Sequence, residues 1–276
     1  MLQLYFLLTL QCNLNCSFCI RKYGKSDADC NVRLEEAIQQ MKTAASIFSK
    51  DTLLILSGEE PTIHSNFTEI LNESGKIFRK VSINSNGTFS DDICKKLISS
   101  KFLSHVTISI DGNKKSHDTI RGDGIFDKAI TNIKKLVEND IPVMVSTTVN
   151  KNNFSSLFEL ASVLEQLKIS IWKLSPVQSY TKEQFNEMLL PNEWNQFVDN
   201  IIQETKLKVN IRKYFDFELF DRMEKNNHIF IFKRRTNCHR KCSFQHGQRN
   251  RNLKHKTRKI PQSQNRHDAA ATHRED

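Results

Sequence analysis

The sequence predicts an α/β fold built on a parallel sheet, and three observations carry that expectation. Short β-rich runs alternate with amphipathic helical stretches six times in succession. Parallel neighbours need long crossovers, usually helical, so serial βα units imply parallel pairing. Several of the runs, Leu53 to Leu56 among them, are continuously apolar, as strands buried on both faces are. The sheet is open or barrel-like. In either case ligands belong beyond the carboxyl ends of the strands, which makes the residues just after each strand the ones to inspect.

In chain order the units are Leu4 to Leu10 with Val32 to Phe48, Leu53 to Leu56 with Phe67 to Ile77, and Lys80 to Asn84 with Asp91 to Ser99. They continue as His105 to Ile110 with Phe126 to Asn139, Val143 to Val149 with Ser155 to Leu167, and Ile171 to Leu174 with Glu193 to Glu204. Asn31, Ser90 and Asn153 are the expected helix caps, because their side chains can accept from the first free backbone N–H groups.

At about 150 residues per domain, the 276 residues suit one large domain with an appendage. Division by pattern places a core at 1–180, a bridging region of helix and strand at 181–235, and a basic tail at 236–276. Hydrophobic residues at 38% and only 8 glycines exclude collagenous and turn-repeat classes and leave enough apolar surface for a core. The net charge of +10 is mostly the tail's. Residues 238–276 hold ten Lys or Arg against three Asp or Glu, a surplus of seven that leaves +3 for residues 1–237. That tail has eight apolar residues in 39, too few to offset the entropy of ordering, so disorder is expected. Seven cysteines, Cys12, Cys16, Cys19, Cys30, Cys94, Cys238 and Cys242, form an odd set crowded at the two ends, a poor disulfide framework and a sign of a reducing compartment. Met1 to Leu10 is too short to span a bilayer and lacks a basic start, so a cytoplasmic protein without a membrane is expected.

The first strand runs into Cys12-Asn-Leu-Asn-Cys16-Ser-Phe-Cys19. Structural zinc closes four ligands, and no fourth Cys or His lies nearer than Cys30 and His64. Three thiolates suit an iron-sulfur cluster with one iron left open. This CxxxCxxC, on a first-strand loop ahead of serial βα units, resembles the radical S-adenosylmethionine (SAM) superfamily over roughly residues 3–176. The resemblance implies a partial (βα)6 barrel, a 4Fe-4S cluster held by Cys12, Cys16 and Cys19, SAM on the open iron, and Phe18 against the adenine.

Further motifs extend the resemblance. Gly58-Glu59-Glu60-Pro61 looks like the family's Gly-Gly-Glu-Pro segment, which implies that the backbone and the Glu60 carboxylate receive the SAM ammonium; Glu59 stands where the second glycine usually does. Asn84-Ser85-Asn86-Gly87-Thr88 is similar to a segment lining the SAM side of the barrel, which puts Ser85 and Asn86 at the cofactor. Ser109, then Asp111-Gly112, His117-Asp118 and Arg121-Gly122, resemble the SPASM-associated branch, implying contact of Ser109 with the ribose or methionine and of Arg121 with the SAM carboxylate. On their own chemistry Asp111-Gly112 is a plain turn and His117 a surface or capping histidine. Thr148 and Leu174, ending strands five and six, are expected near ribose and adenine.

Thr236-Asn237-Cys238 resembles the opening of a SPASM extension, but only Cys242 follows, so the extension reads as truncated or replaced. Cys238, His239, Cys242 and His246 form either a zinc site or free thiols in a disordered segment.

The expected activity, as the resemblance implies it, is reductive cleavage of SAM to a 5′-deoxyadenosyl radical that modifies a peptide or protein, as in ribosomal peptide maturation. It needs no acid/base pair, is oxygen-sensitive, and takes electrons from a donor such as flavodoxin or ferredoxin. The alternatives are a small-molecule or RNA substrate, or a non-enzymatic iron-sulfur or zinc protein binding nucleic acid through its basic end. With Phe244 as its only aromatic residue the tail lacks a base-stacking platform, which disfavours nucleic acid.

Overall fold

Eight parallel strands in the order β7-β6-β5-β4-β3-β2-β1-β8 form the sheet, in a computed structural model that describes residues 2–19, 31–177, 186–211 and 228–231. The strands are β1 (Gln3–Leu7), β2 (Leu53–Ser57), β3 (Lys80–Ser85), β4 (Leu103–Ser109), β5 (Val143–Val149), β6 (Ile171–Pro176), β7 (Val209–Ile211) and β8 (His228–Ile231). Between them run α1 (Leu34–Phe48), α2 (Phe67–Ile77), α3 (Asp91–Ser99), α4 (Lys114–Arg121), α5 (Ile125–Glu138), α6 (Leu157–Gln166) and α7 (Pro191–Glu204). The sheet belongs to one compact unit, Met1–Cys238.

Sequential strands β1 to β6 are neighbours in register, for example Leu4 with Leu54, Leu54 with Val81 and Val145 with Trp172. The six expected units are therefore present, and two short strands beyond them extend the sheet: β7 beside β6 and β8 beside β1. With β7 and β8 at its two edges the sheet is open, which matches a partial barrel. The core lies on the helix side. Leu4, Phe6, Leu54, Leu56, Val106 and Ile108 from the strands pack there with Met41, Ile70, Leu97, Ile133 and Leu160 from the helices.

Helix starts follow cap chemistry in part. Ser90 accepts from the Ile93 N–H at 3.4 Å, as expected. Asn31 is not the cap of α1: that position is Arg33, which makes no side-chain cap bond, and Glu35 and Glu36 in the first turn answer the helix dipole instead. Asn153 is also no ordinary cap. Its amide donates backward at 2.8 Å to the carbonyls of Asp111 and Thr148, tying the ends of β4 and β5 together. Helix α4 was not expected; Asn113 caps it through the Ser116 N–H at 3.0 Å, a signal hidden by its short, highly charged sequence. Cys30, the disorder expected of the tail, and the Cys238, His239, Cys242 and His246 group lie outside the described residues.

Candidate active site

The loop after β1 leaves the sheet at its carboxyl end and is stitched to three neighbours. Leu8 still pairs with β2, its N–H donating to the Ser57 carbonyl at 2.9 Å, and the carbonyls of Thr9 and Gln11 then accept from the N–H groups of Glu59 and Glu60. Asn86 after β3 donates to Asn13 Oδ1 at 2.8 Å and to Cys12 Sγ at 3.8 Å. The Ser17 N–H donates to the Ile120 carbonyl of α4 at 2.9 Å. Cys16 is buried, and Cys12, Cys19 and Phe18 are half-buried around it.

Gly58 explains the tight junction of β1 and β2. Its φ is +138°, and a Cβ there would lie 2.5 Å from the Thr9 carbonyl oxygen. One glycine suffices, because Glu59 needs no positive φ and its N–H is what meets Thr9.

Glu60 is fully enclosed, and its carboxylate is a bracket between two strand ends. Oε1 accepts from the Thr62 N–H (3.2 Å), the Thr62 hydroxyl (2.6 Å) and the Ser85 hydroxyl (2.9 Å), and Oε2 from the Asn86 N–H (2.6 Å). Burial pushes its carboxyl above the ordinary range while these donors pull it down. Ser85 and Asn86 are thereby fixed beside the cysteine loop.

On the other side stands a buried ion pair. Arg121 Nε donates to Asp111 Oδ2 at 2.6 Å, with the Asp111 side chain fully enclosed and that of Arg121 10% exposed. Asp111 Oδ1 accepts from the Thr148 N–H at 2.8 Å. The Asp111 N–H donates to His117 Nδ1 at 3.0 Å, so the neutral ring carries its proton on Nε2, which has no partner among the described residues. The expected surface or capping role of His117 is corrected: the ring is fully buried, edge-on to Phe126, and its pKa falls to about 4 through burial and the nearby Arg121 charge. The expected plain turn at Asp111-Gly112 is likewise the hub of this network.

Arg121 faces the thiols as well. Burial raises the Cys16 pKa and the Arg121 charge opposes that rise, while burial works against the Arg121 charge and Asp111, Cys16 and Cys12 sustain it. Ser109 is half-buried on the face away from the helices, opposite Ser146 of β5. Thr148 is half-buried opposite Ser175 of β6. Leu174 is fully buried in the core, so its side chain serves packing.

Among the described residues no three His, Cys, Asp or Glu side chains are gathered closely enough to hold a single metal ion. A cluster takes one thiolate on each of three irons, so its ligands stand farther apart than those of one ion. The donor set fits such a group: at the strand end the buried Cys16 feels the charge of Cys12 and Cys19, Cys12 accepts from the Leu14 N–H (3.4 Å) and Asn86, and the Arg121 cation stands beside them. Asp111, His117 and Asn153 are the site residues that sequence reasoning assigned otherwise. The usable signal was Asp111 placed just before the Asn113 cap, with Arg121 at the end of the same short helix.

The Radical SAM superfamily profile matches residues 6–162. The chain is 36% identical over 160 residues to the sporulation killing factor maturation protein SkfB of Bacillus subtilis, covering 58% of this chain and 38% of that protein. It is 33% identical over 175 residues to the AdoMet-dependent heme synthase of Methanosarcina barkeri, covering 61% and 49%. The chain thus spans less than half the length of either relative. In fold it is similar to Streptococcus suis SuiB bound to S-adenosylmethionine (TM-score 0.67, 15% identity, 83% of this chain and 57% of that one). A second SuiB structure, bound to precursor peptide SuiA, matches with TM-score 0.63 at 16% identity over 80% and 51%.

Proposed function

The chain belongs to the radical SAM superfamily, and from that membership we propose that it is an enzyme that modifies a peptide or protein. The observation that carries the reading is the thiol loop held between the Glu60 bracket and the Asp111–Arg121 pair. The family's cofactors are a 4Fe-4S cluster and SAM; when bound and reduced by one electron they supply a 5′-deoxyadenosyl radical that takes a hydrogen atom from the substrate.

The chain's own residues prepare the place. Cys12, Cys16 and Cys19 would hold the cluster, with the Arg121 charge facing Cys16 and Cys12. The Glu60 carboxylate is taken up by four donors, so its work is to position Ser85 and Asn86, and a SAM ammonium would meet the one lone pair left on Oε2 or the backbone of Gly58 and Glu59. Ser109 and Thr148 line the helix-free face at the strand ends, where they would contact SAM, and Phe18 beside the thiols would meet the adenine. A peptide substrate is supported by the SkfB likeness and by the SuiB fold, whose solved form holds a precursor peptide. The electron donor is of the flavodoxin or ferredoxin class. The heme synthase likeness favours a second reading, a small-molecule substrate.

The test is 5′-deoxyadenosine formation from SAM by anaerobically reconstituted protein with a strong reductant, beside Cys16→Ala. Product from the wild type alone is expected. Failure of the wild type to retain iron would overturn the reading. Screening peptides encoded near the gene for a SAM-dependent mass change then separates peptide from small-molecule substrates.

A further inference from the structure

The buried ion pair, with its acid just past β4 and its base at the end of α4, has a direction. The acid is anchored on the strand side. Asp111 Oδ1 accepts from the Thr148 N–H at 2.8 Å, the Asp111 carbonyl accepts from Asn153 Nδ2 at 2.8 Å, and the Asp111 N–H donates to His117 Nδ1 at 3.0 Å. The base is anchored on the thiol side. The carbonyl of Ile120, the residue before Arg121, accepts at 2.9 Å from the N–H of Ser17, the residue after Cys16. The bond from Arg121 Nε to Asp111 Oδ2 at 2.6 Å joins the two anchors.

The pair and the thiol it approaches are all withdrawn from water: the Asp111 side chain is fully enclosed, that of Arg121 is 10% exposed, and Cys16 is buried. Buried charges are screened far less than exposed ones. Arg121 bears on Cys16 more strongly than Asp111 does, and in the opposite sense, which agrees with the positive end lying nearer the thiols. The buried His117 ring is neutral at neutral pH and adds no charge to the pair.

We propose that the Asp111–Arg121 pair sets how readily a cluster on Cys12, Cys16 and Cys19 accepts its electron: the guanidinium favours the reduced state, and Asp111, as a positioning residue, aims that charge and offsets part of it. This rests on the reading of the chain as a radical SAM enzyme. Reduction brings one electron from an external donor and no proton, so the thiolate-bound group gains one negative charge, and cluster potentials respond to the net charge around them. The effect belongs to the protein without SAM and is separate from any contact of Arg121 with the SAM carboxylate.

The experiment is a potentiometric titration of full-length reconstituted protein without SAM, with titanium citrate as reductant and the reduced cluster counted by electron paramagnetic resonance. Asp111→Asn leaves the guanidinium unopposed and is expected to favour reduction about tenfold, an upward shift of about 59 mV for one electron. The double variant Asp111→Leu/Arg121→Met removes both charges and is expected to disfavour reduction several-fold, because the nearer charge is the positive one. Iron content and thermal melting confirm that each variant is loaded and folded. A purely structural role would not move the two potentials in opposite directions, and any other pattern in loaded variants overturns the proposal. If Asp111→Asn loads no cluster, the double variant decides alone, and an unchanged or raised potential overturns it. Loss of iron from both variants while the wild type retains it would make the pair a folding element only, which also overturns it. A wild type that holds no iron is a separate failure, that of the reading on which this rests.

Discussion

Replacing Asp111 with Leu should be among the most damaging single changes in the chain. The Asp111 carboxylate is fully enclosed, bonded to Arg121 Nε at 2.6 Å and to the Thr148 N–H at 2.8 Å, and the Arg121 side chain is 10% exposed. Leucine keeps most of the volume but strands a buried guanidinium, which costs about 3–5 kcal/mol. At roughly 2–4 °C per kcal/mol for a unit of this size, the melting temperature should fall by about 10 °C. Reduced apoprotein unfolded in guanidinium suits the assay, because Trp172 and Trp194, the two tryptophans, are buried and report by fluorescence. The double variant Asp111→Leu/Arg121→Met should regain most of the loss, since an apolar pair of similar volume substitutes for a buried ion pair at little cost. A single variant losing less than about 1 kcal/mol, or a double variant falling as far as the single, would refute the claim that an uncompensated charge is the cause.

Other expectations follow from single contacts. Gly58→Ala should destabilise by about 1–3 kcal/mol, because alanine at φ +138° is strained and its Cβ meets the Thr9 carbonyl; a melting point within error of the wild type would exclude that contact. Glu60→Gln places an amide NH2 among four donors and should cost about 1–3 kcal/mol and weaken SAM binding, measured by denaturation and by titration with SAM. His105 and His117 both have folded pKa values near 4, below the ordinary 6.5, so they favour the fold above about pH 6.5 and that contribution is lost as pH falls toward 4. Each is worth about 3 kcal/mol over that window, and His105→Gln should flatten the acid limb of the stability profile; an unchanged limb would count against the buried neutral ring.

The strand and helix pattern was legible because it is local. Apolar runs and amphipathic periods mark β1 to β6 within a residue or a few at each end, and Ser90 is a cap read from its own neighbours. The thiol spacing was legible for the same reason, since three ligands on one loop need no distant partner. Strands β7 and β8 were not singled out: with three and four residues they are too short to carry a period of their own, and they exist because an edge of the sheet offers hydrogen bonds.

The roles of the charged and polar residues were decided elsewhere. Asp111 meets Thr148 across 37 positions and Glu60 meets Asn86 across 26, contacts set by which strand ends lie side by side. His117 has the composition of a surface residue and becomes buried only when α4 folds back over the end of β4. Periodicity along a chain tells which face of an element is apolar, and so it yields the core and the class of fold. Burial and pairing of ionisable groups depend on strand register and on the dielectric that packing creates, and those arise only when the whole sheet has formed.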